Sequence, residues 1–364
     1  MVVRKLALAA CASCSVASAQ SLTLYGVADA AVEVVSATGA TAGPALDRRR
    51  KKQLGSDSYV GLRGSERLDG GTFAVFQLEG DLALDTGEFD EFTRDTFVGL
   101  QNPRWGDLRL GRNTPPMRAL GESFDLTPGG DTGIGAIQSL LGINGRSTGA
   151  EDRRPNSVRY RSAGFWGARL DFVYEAGESP DAAGLPFDTA LENPVEENGD
   201  TFGIGTTFGR GRFFAGYAYD VRKDSGRPGR AQVGGKEIRH RAGFKYGVLS
   251  NLMLGAFYDK ASSSGVFDTG TGKIRKETWG AIGQWDSGPH SVYVMLVKAR
   301  PLQCSGATGG NGVACASAAD TGARLATLGY NYALGKRTLL RAALSFIDND
   351  AAGRYDFSNG GVGA

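Results

Sequence analysis

From Ser21 onward, apolar and polar residues alternate one by one, and this two-residue period constrains the fold more than any other feature of the chain. In "SLTLYGVADAAVEVV", Leu22, Leu24, Gly26, Ala28, Ala30, Val32 and Val34 share one parity, while Ser21, Thr23, Tyr25, Asp29 and Glu33 share the other. Successive side chains of a strand point to opposite faces, so the stretch reads as a strand with one dry and one wet face. The habit recurs. Val60 and Leu62 oppose Tyr59 and Arg63; Ala74, Phe76 and Leu78 oppose Gln77, Glu79 and Asp81. Leu170, Phe172 and Tyr174 oppose Arg169, Asp171 and Glu175, and Ile238, Ala242, Phe244 and Tyr246 oppose Arg239, Arg241 and Lys245. The polar parity is too charged for a packed core, where unpaired charge is expensive. No window reads as a good helix.

The connections alternate in length. "RLDGGT", "QNPRWGD", "FGRGR", "YGVLSN", "DSGPHS" and "ALGKR" are tight and hold turn-forming Gly, Pro, Asn and Asp. Between them lie long polar segments: Ser36 to Ser56, Asn113 to Asn156, Gly177 to Asp200, Lys223 to Lys236, Ala261 to Lys273 and Pro301 to Gly322. A sandwich has no reason to keep every second connection short; a membrane barrel does, with short turns on one side and long loops on the other. About fifteen strands are counted this way, near the 16 to 18 of barrels that leave an aqueous channel. The expected fold is therefore all-β, a transmembrane antiparallel β-barrel whose dry face meets lipid. Aromatic residues at strand ends (Tyr25, Phe73, Trp166, Trp279, Trp285 and Tyr332) suggest interfacial girdles.

Residues 1–19 read as a cleaved leader: Arg4 and Lys5, an apolar run from Leu6 to Ala12, then Ala17-Ser18-Ala19. The run is too short to span a membrane as a helix. Residues 20–364 then form the barrel. Lys and Arg total 41 and Asp and Glu 39, and the leader takes Arg4 and Lys5, so the rest is neutral. That balance argues against nucleic acid as a partner. Cys304 and Cys315, close together in an exported loop, are expected to form a disulfide. No metal-ligand cluster, phosphate loop or dinucleotide motif appears, so no cofactor is expected. His240 has dry-face parity and His290 follows Pro289 in a turn. Neither offers triad chemistry, so an enzyme is not expected. A soluble sandwich adhesin is a rival that would need no detergent.

The connection at 113–156 is the most informative one. Loops of this length are uncommon and usually functional. It carries apolar patches, Met117 to Leu120 and Ile134 to Ile143, that free solution would not favour. Packing against the inner wall would explain them and would narrow the channel. The basic run from Arg48 to Lys52 reads as a solvated or lipopolysaccharide-facing cluster.

Taken together, the leader followed by "LTLYGVAD", "GLRGSERLDGGTFAVFQLEGD", "DLRLGRNTPP", "NSVRYRS" and "LGYNYALGKRTLLRAALSFIDND" resemble the Gram-negative general-diffusion porins over nearly the whole chain after the leader. The resemblance implies a trimeric outer-membrane barrel of about 16 strands, with the third loop bent inward and small hydrophilic solutes and ions diffusing through. Lipid and lipopolysaccharide would surround it. The family normally ends in one more strand, and nothing after Asn349 matches it. A ladder of wall arginines is implied, facing acidic groups on the loop. The candidates are Arg63, Arg94, Arg109, Arg112, Arg159 and Arg161. Parity supports Arg63, Arg109 and Arg159; Arg112 shares the parity of Leu110 and needs a bulge or the strand end to turn inward. Where relatives carry an acidic "PEFGG", this chain has "TPGGD", leaving Glu122, Asp125 and Asp131 as loop carboxylates. Excess arginine implies weak anion preference. A substrate-specific channel, with saturable uptake, is the alternative.

Overall fold

The computed structural model describes residues 21–38, 48–54, 58–127, 135–145, 149–177, 200–223, 235–267, 270–306 and 315–357. Nineteen strands appear in chain order: β1 (Ser21–Val27), β2 (Ala31–Ala37), β3 (Arg48–Leu54), β4 (Tyr59–Arg67), β5 (Phe73–Ala83), β6 (Glu88–Asp90), β7 (Thr96–Asn102), β8 (Gly106–Asn113), β9 (Arg154–Ser162) and β10 (Ala168–Glu175), then β11 (Thr201–Arg210), β12 (Phe213–Lys223), β13 (Lys236–Gly247), β14 (Leu252–Phe267), β15 (Gly270–Ser287), β16 (His290–Ala299), β17 (Gln303–Gly306), β18 (Ala323–Ala333) and β19 (Leu339–Asn349). Seventeen belong to one antiparallel sheet, and β2 and β3 pair separately. Within the sheet β6 and β17 are short side branches on β5 and β15; the other fifteen form one run of neighbours. Almost every strand pairs with the next in sequence, as short turns between antiparallel strands require. Among the described residues no helix is long and apolar enough to cross a membrane.

The register places the two parities on opposite faces. Leu24 lies opposite Leu62, which lies opposite Leu78. On later strands Phe76, Val98, Leu110, Val158 and Tyr174 make another cross-strand row. These rows face outward: Leu24 is 75% exposed, Val98 59% and Leu110 51%. At the far end of the run Leu340, Leu344 and Phe346 are also exposed. Soluble monomers rarely carry so continuous an apolar surface, which marks contact with lipid or another protein. Trp166, Trp279 and Trp285 lie in it, as the girdle reading expects. Tyr25 does not. Its hydroxyl donates to Glu79 Oε2 at 2.8 Å on the polar side, in keeping with its parity.

Three expectations need correction. The segment Ala261 to Lys273 is mostly strand, because β14 continues to Phe267 and β15 starts at Gly270. Its small polar residues hide the alternation, yet Ser262 still pairs with Arg275 and Ser264 with Lys273. The long connections at 36–56 and 301–322 likewise contain β3 and β17. A helix, missing from the sequence reading, appears in the third loop: α1 (Pro116–Phe124). Its signal is brief. Pro116 sits in the first turn, where its missing N–H costs nothing, and Met117, Leu120 and Phe124 fall on one face. The side chains of β3, which include Arg48 to Lys52, lie outside the described residues. So does that of Cys315, and with it the expected disulfide.

The run ends at β1 and β19, and among the described residues no ladder joins them. The Arg341 guanidinium on β19 binds the Asp29 carboxylate instead, which brings the two edges together. After β19 the chain turns inward. Tyr355 is 1% exposed and packs with Leu140 and Leu141 of the third loop. The Asn144 N–H donates to its hydroxyl at 3.3 Å, and the Asn349 side chain brackets its backbone at 2.8 and 3.1 Å. Burial pushes this phenol well above its ordinary pKa. Tyr355→Ala is expected to cost roughly 3 kcal/mol, as aromatic truncations in cores do, read as a lower urea midpoint in lipid or detergent.

Candidate channel constriction

The inward loop is held by shape and by charge. Its apolar face, Met117, Leu120, Phe124, Ile137, Leu140, Leu141 and Ile143, is almost wholly buried. The sheet receives α1 on three glycines of adjacent strands. A Cβ at Gly205 would stand 2.7 Å from Pro116 Cβ, one at Gly216 2.4 Å from Leu120 Cδ1, and one at Gly243 2.5 Å from Phe124 Cζ. The helix therefore rests against bare backbone. Phe124 also stacks on Phe257, with centroids 5.9 Å apart.

Cations on the inner face take the loop carbonyls. Arg241 Nη1 donates to Met117 O at 3.0 Å, Arg239 Nη2 to Leu141 O at 2.9 Å, and Lys245 Nζ to Ser123 O at 2.7 Å. Lys276 donates to the Leu140 and Gly142 carbonyls. Behind them Asp259 joins Arg239 and Arg241 at 2.9 Å each, and Glu151 of the loop reaches Arg241 at 2.5 Å. Arg154 binds Asp220 through both carboxylate oxygens at 2.9 Å. Each charge in this buried cluster faces an opposite charge or a carbonyl, which is what makes burial tolerable.

Helix α1 packs on β10 to β14 and the turn at Ile137–Leu140 on β16 and β18, away from β1, β4, β5 and β7 to β9. There Arg94 binds Glu79 at 2.7 Å and Asp81 at 3.0 Å. Arg109 and Arg161 share Asp107, at 2.8 and 3.0 Å. Arg159 is 4% exposed and holds Asp171 through two nitrogens at 3.0 and 2.5 Å. Arg63 is exposed and has no carboxylate partner among the described residues; its guanidinium lies 5.0 Å from the Tyr25 ring centroid. Arg94 and Arg109 lie over Tyr59 and Phe97 in the same way, each at 4.4 Å. Arg112 turns to Thr93 O at 2.7 Å, at a register shift between Gly111 and Asn113.

Facing this wall, Arg118 of α1 pairs with Glu122 one turn on at 2.8 Å. Arg153, where the loop rejoins β9, meets Asp95 at 3.3 Å. Burial, with Arg118 and Arg94 nearby, pulls the Arg153 pKa below the ordinary guanidinium value. Asp125 is not part of this face. Its oxygens accept from Thr127 N at 2.8 Å and Ile137 N at 2.9 Å, so it ties the two arms of the loop together. Asp131 lies outside the described residues. Arg118, Arg153 and Asp95, and the clamp of Arg239, Arg241, Asp259 and Lys276, escaped the sequence reading. Inward parity on β13 was legible; which cations hold the loop depends on contacts far apart in the chain.

The model of one family, Gram-negative porin, matches residues 6–352. The chain belongs to the Gram-negative porins. Outer membrane porin protein 32 of Delftia acidovorans is 30% identical to this porin over 371 residues, spanning 98% of this chain and 92% of the relative. Among solved structures, the anion-selective porin from Comamonas acidovorans superposes with a TM-score of 0.69 at 23% identity, covering 91% of this porin and 89% of that chain. OmpT of Vibrio cholerae, solved in a trimer form, gives 0.60 at 11% identity, covering 90% and 89%. These likenesses establish the porin fold and place the porin in the outer membrane. Family and fold indicate a channel rather than an enzyme.

Proposed function

We propose that this porin is a weakly anion-preferring passive channel with its constriction between α1 and the wall of β1, β4, β5 and β7 to β9. The observation that carries the reading is the imbalance on that wall. Arg63 has no carboxylate partner among the described residues, and Arg109 and Arg161 share a single one, Asp107. A fixed positive surplus in a narrow, low-dielectric passage attracts anions and repels cations. The pore-lining set is Arg63, Arg94, Arg109, Arg161, Arg118 and Arg153, with Arg112 at the rim and Arg159 behind it. Glu122 tempers the surplus from the loop side. Residues 113–156 are the constriction loop and residues 1–19 a cleaved leader.

A homotrimer fits the outer surface. The outward side of β4, β5, β7 and β8 holds a groove of about 450 Å³, lined by Ala74, Phe76, Val98, Leu100, Leu108 and Leu110 among others. A second copy would fill this apolar concavity, while lipid and lipopolysaccharide cover the rest. Reversal potentials across a planar bilayer in a salt gradient test the selectivity. Wild type should favour chloride over potassium. Arg63→Glu changes the charge by two units; at about 8 Å in a water-like dielectric that is roughly 1 kcal/mol for each monovalent ion, of opposite sign for chloride and potassium, so the ion ratio should move by about thirtyfold before salt screening. A cation-preferring wild type, or a ratio untouched by Arg63→Glu, would reject the assignment.

A further inference from the structure

We infer that the segment after β19, Asp350 to Phe357, is a strap that sets the position of the constriction loop by tying its tip to the barrel wall. The inference rests on the channel reading above and adds a control point to it. At the wall end the strap is fixed by backbone and side chain. The Asp350 N–H donates to Gly322 O at 2.9 Å and the Ala352 N–H to Asp320 O at 2.8 Å, while the Asn349 side chain takes both backbone groups of Tyr355. At the loop end three hydrogen bonds converge on one residue, Asn144. Its Oδ1 accepts from Arg354 N at 3.0 Å, its Nδ2 donates to Ala352 O at 3.4 Å, and its N–H donates to the Tyr355 hydroxyl. Asn144 and Gly145 both have left-handed backbones, with φ of +48° and +82°, and a Cβ at Gly145 would stand 2.0 Å from Arg354 O. The loop tip is thus shaped to the strap: asparagine tolerates that region of backbone space, and only glycine leaves room for the carbonyl.

Tyr355 links the strap to the grip on the loop. Its ring packs with Leu140 and Leu141, and Lys276 Nζ lies 4.8 Å from the ring centroid. The same amine donates to the Leu140 and Gly142 carbonyls. One lysine of β15 therefore touches strap and loop together. With Tyr355 seated, the ring covers the amine and keeps water from competing for it, which strengthens its bonds to the loop. With Tyr355 lifted, water reaches the amine and that hold weakens. Arg239 and Arg241 still hold the Leu141 and Met117 carbonyls, so the loop stays attached but its tip can shift. A joint of one ring and a few hydrogen bonds opens far more readily than the barrel unfolds. The loop tip then has two positions and the pore two conductances.

Two variants cut the strap at opposite ends. Asn349→Ala frees Tyr355 from β19 and leaves the loop residues unchanged. Asn144→Gly removes both side-chain bonds at the loop tip and keeps the freedom for positive φ. Single-channel currents of the purified full-length porin are recorded in planar bilayers, with urea midpoints measured in parallel. Wild type should hold one steady level. Each variant should spend about fivefold more time in a second level, the shift expected when one hydrogen bond's net worth is lost from such an equilibrium. The double variant should be no worse than the worse single one, because both cuts open the same joint. Asn144→Asp keeps an acceptor for the Arg354 N–H and should restore most of the steady level. Wild-type currents in both single variants would overturn the inference, even with a lowered urea midpoint. So would second-level times that multiply in the double variant, since the two ends would then act separately. A wild type that never conducts would instead strike the channel reading, whatever the variants do.

Discussion

Asp259→Asn is expected to loosen the inward loop and to lower the unfolding free energy by about 3–5 kcal/mol, the usual cost of breaking a buried ion cluster from one side. Asp259 is 1% exposed and neutralises both Arg239 and Arg241. With an amide there, the two guanidiniums still meet Glu151, but Glu151 belongs to the loop itself and not to the wall. The same guanidiniums hold the Met117 and Leu141 carbonyls. Urea unfolding in detergent and channel recordings measure the two consequences. Glu151→Gln separates them, since it weakens the attachment of the loop but leaves Asp259 to balance the wall. An Asp259→Asn porin with the wild-type midpoint and steady wild-type currents would show that glycine packing alone seats the loop.

Gly216→Val should act on the same helix from the other direction. Its first carbon would sit 2.4 Å from Leu120 Cδ1, inside any tolerable contact. The helix must move off the wall, toward the opening, at a strain of about 1–3 kcal/mol. Conductance should fall, the reverse of what a freed loop would give. Leu120→Ala in the same chain removes the clash and should restore most of the current. If the single variant conducts as wild type, α1 does not border the narrowest section.

Much of this was written in the order of residue types. The parity of Leu24, Leu62 and Leu78 predicted an outward apolar row, and the register bears it out. The apolar patches of the third loop foretold its burial. The strand span at Ser262 and Ser264 was lost because serines carry no hydrophobic contrast; only the backbone ladder reveals it. Helix α1 was lost because it is a single short element with one glycine, Gly121, and no side-chain cap. Asp125 looked like a lumen carboxylate because sequence gives its charge and not its partners. Its hydrogen bonds to Thr127 and Ile137 close a gap that no local pattern records.

The length of β15 has an electrical consequence. From Trp279 at the belt, the strand continues back to Gly270. That is about 30 Å of extended chain, or roughly 20 Å along the membrane normal at a 45° tilt. The screening length at physiological ionic strength is only about 8 Å. The tip of the β14–β15 hairpin therefore stands more than two screening lengths from the belt, and charged groups carried there interact only weakly with the lipid surface charge.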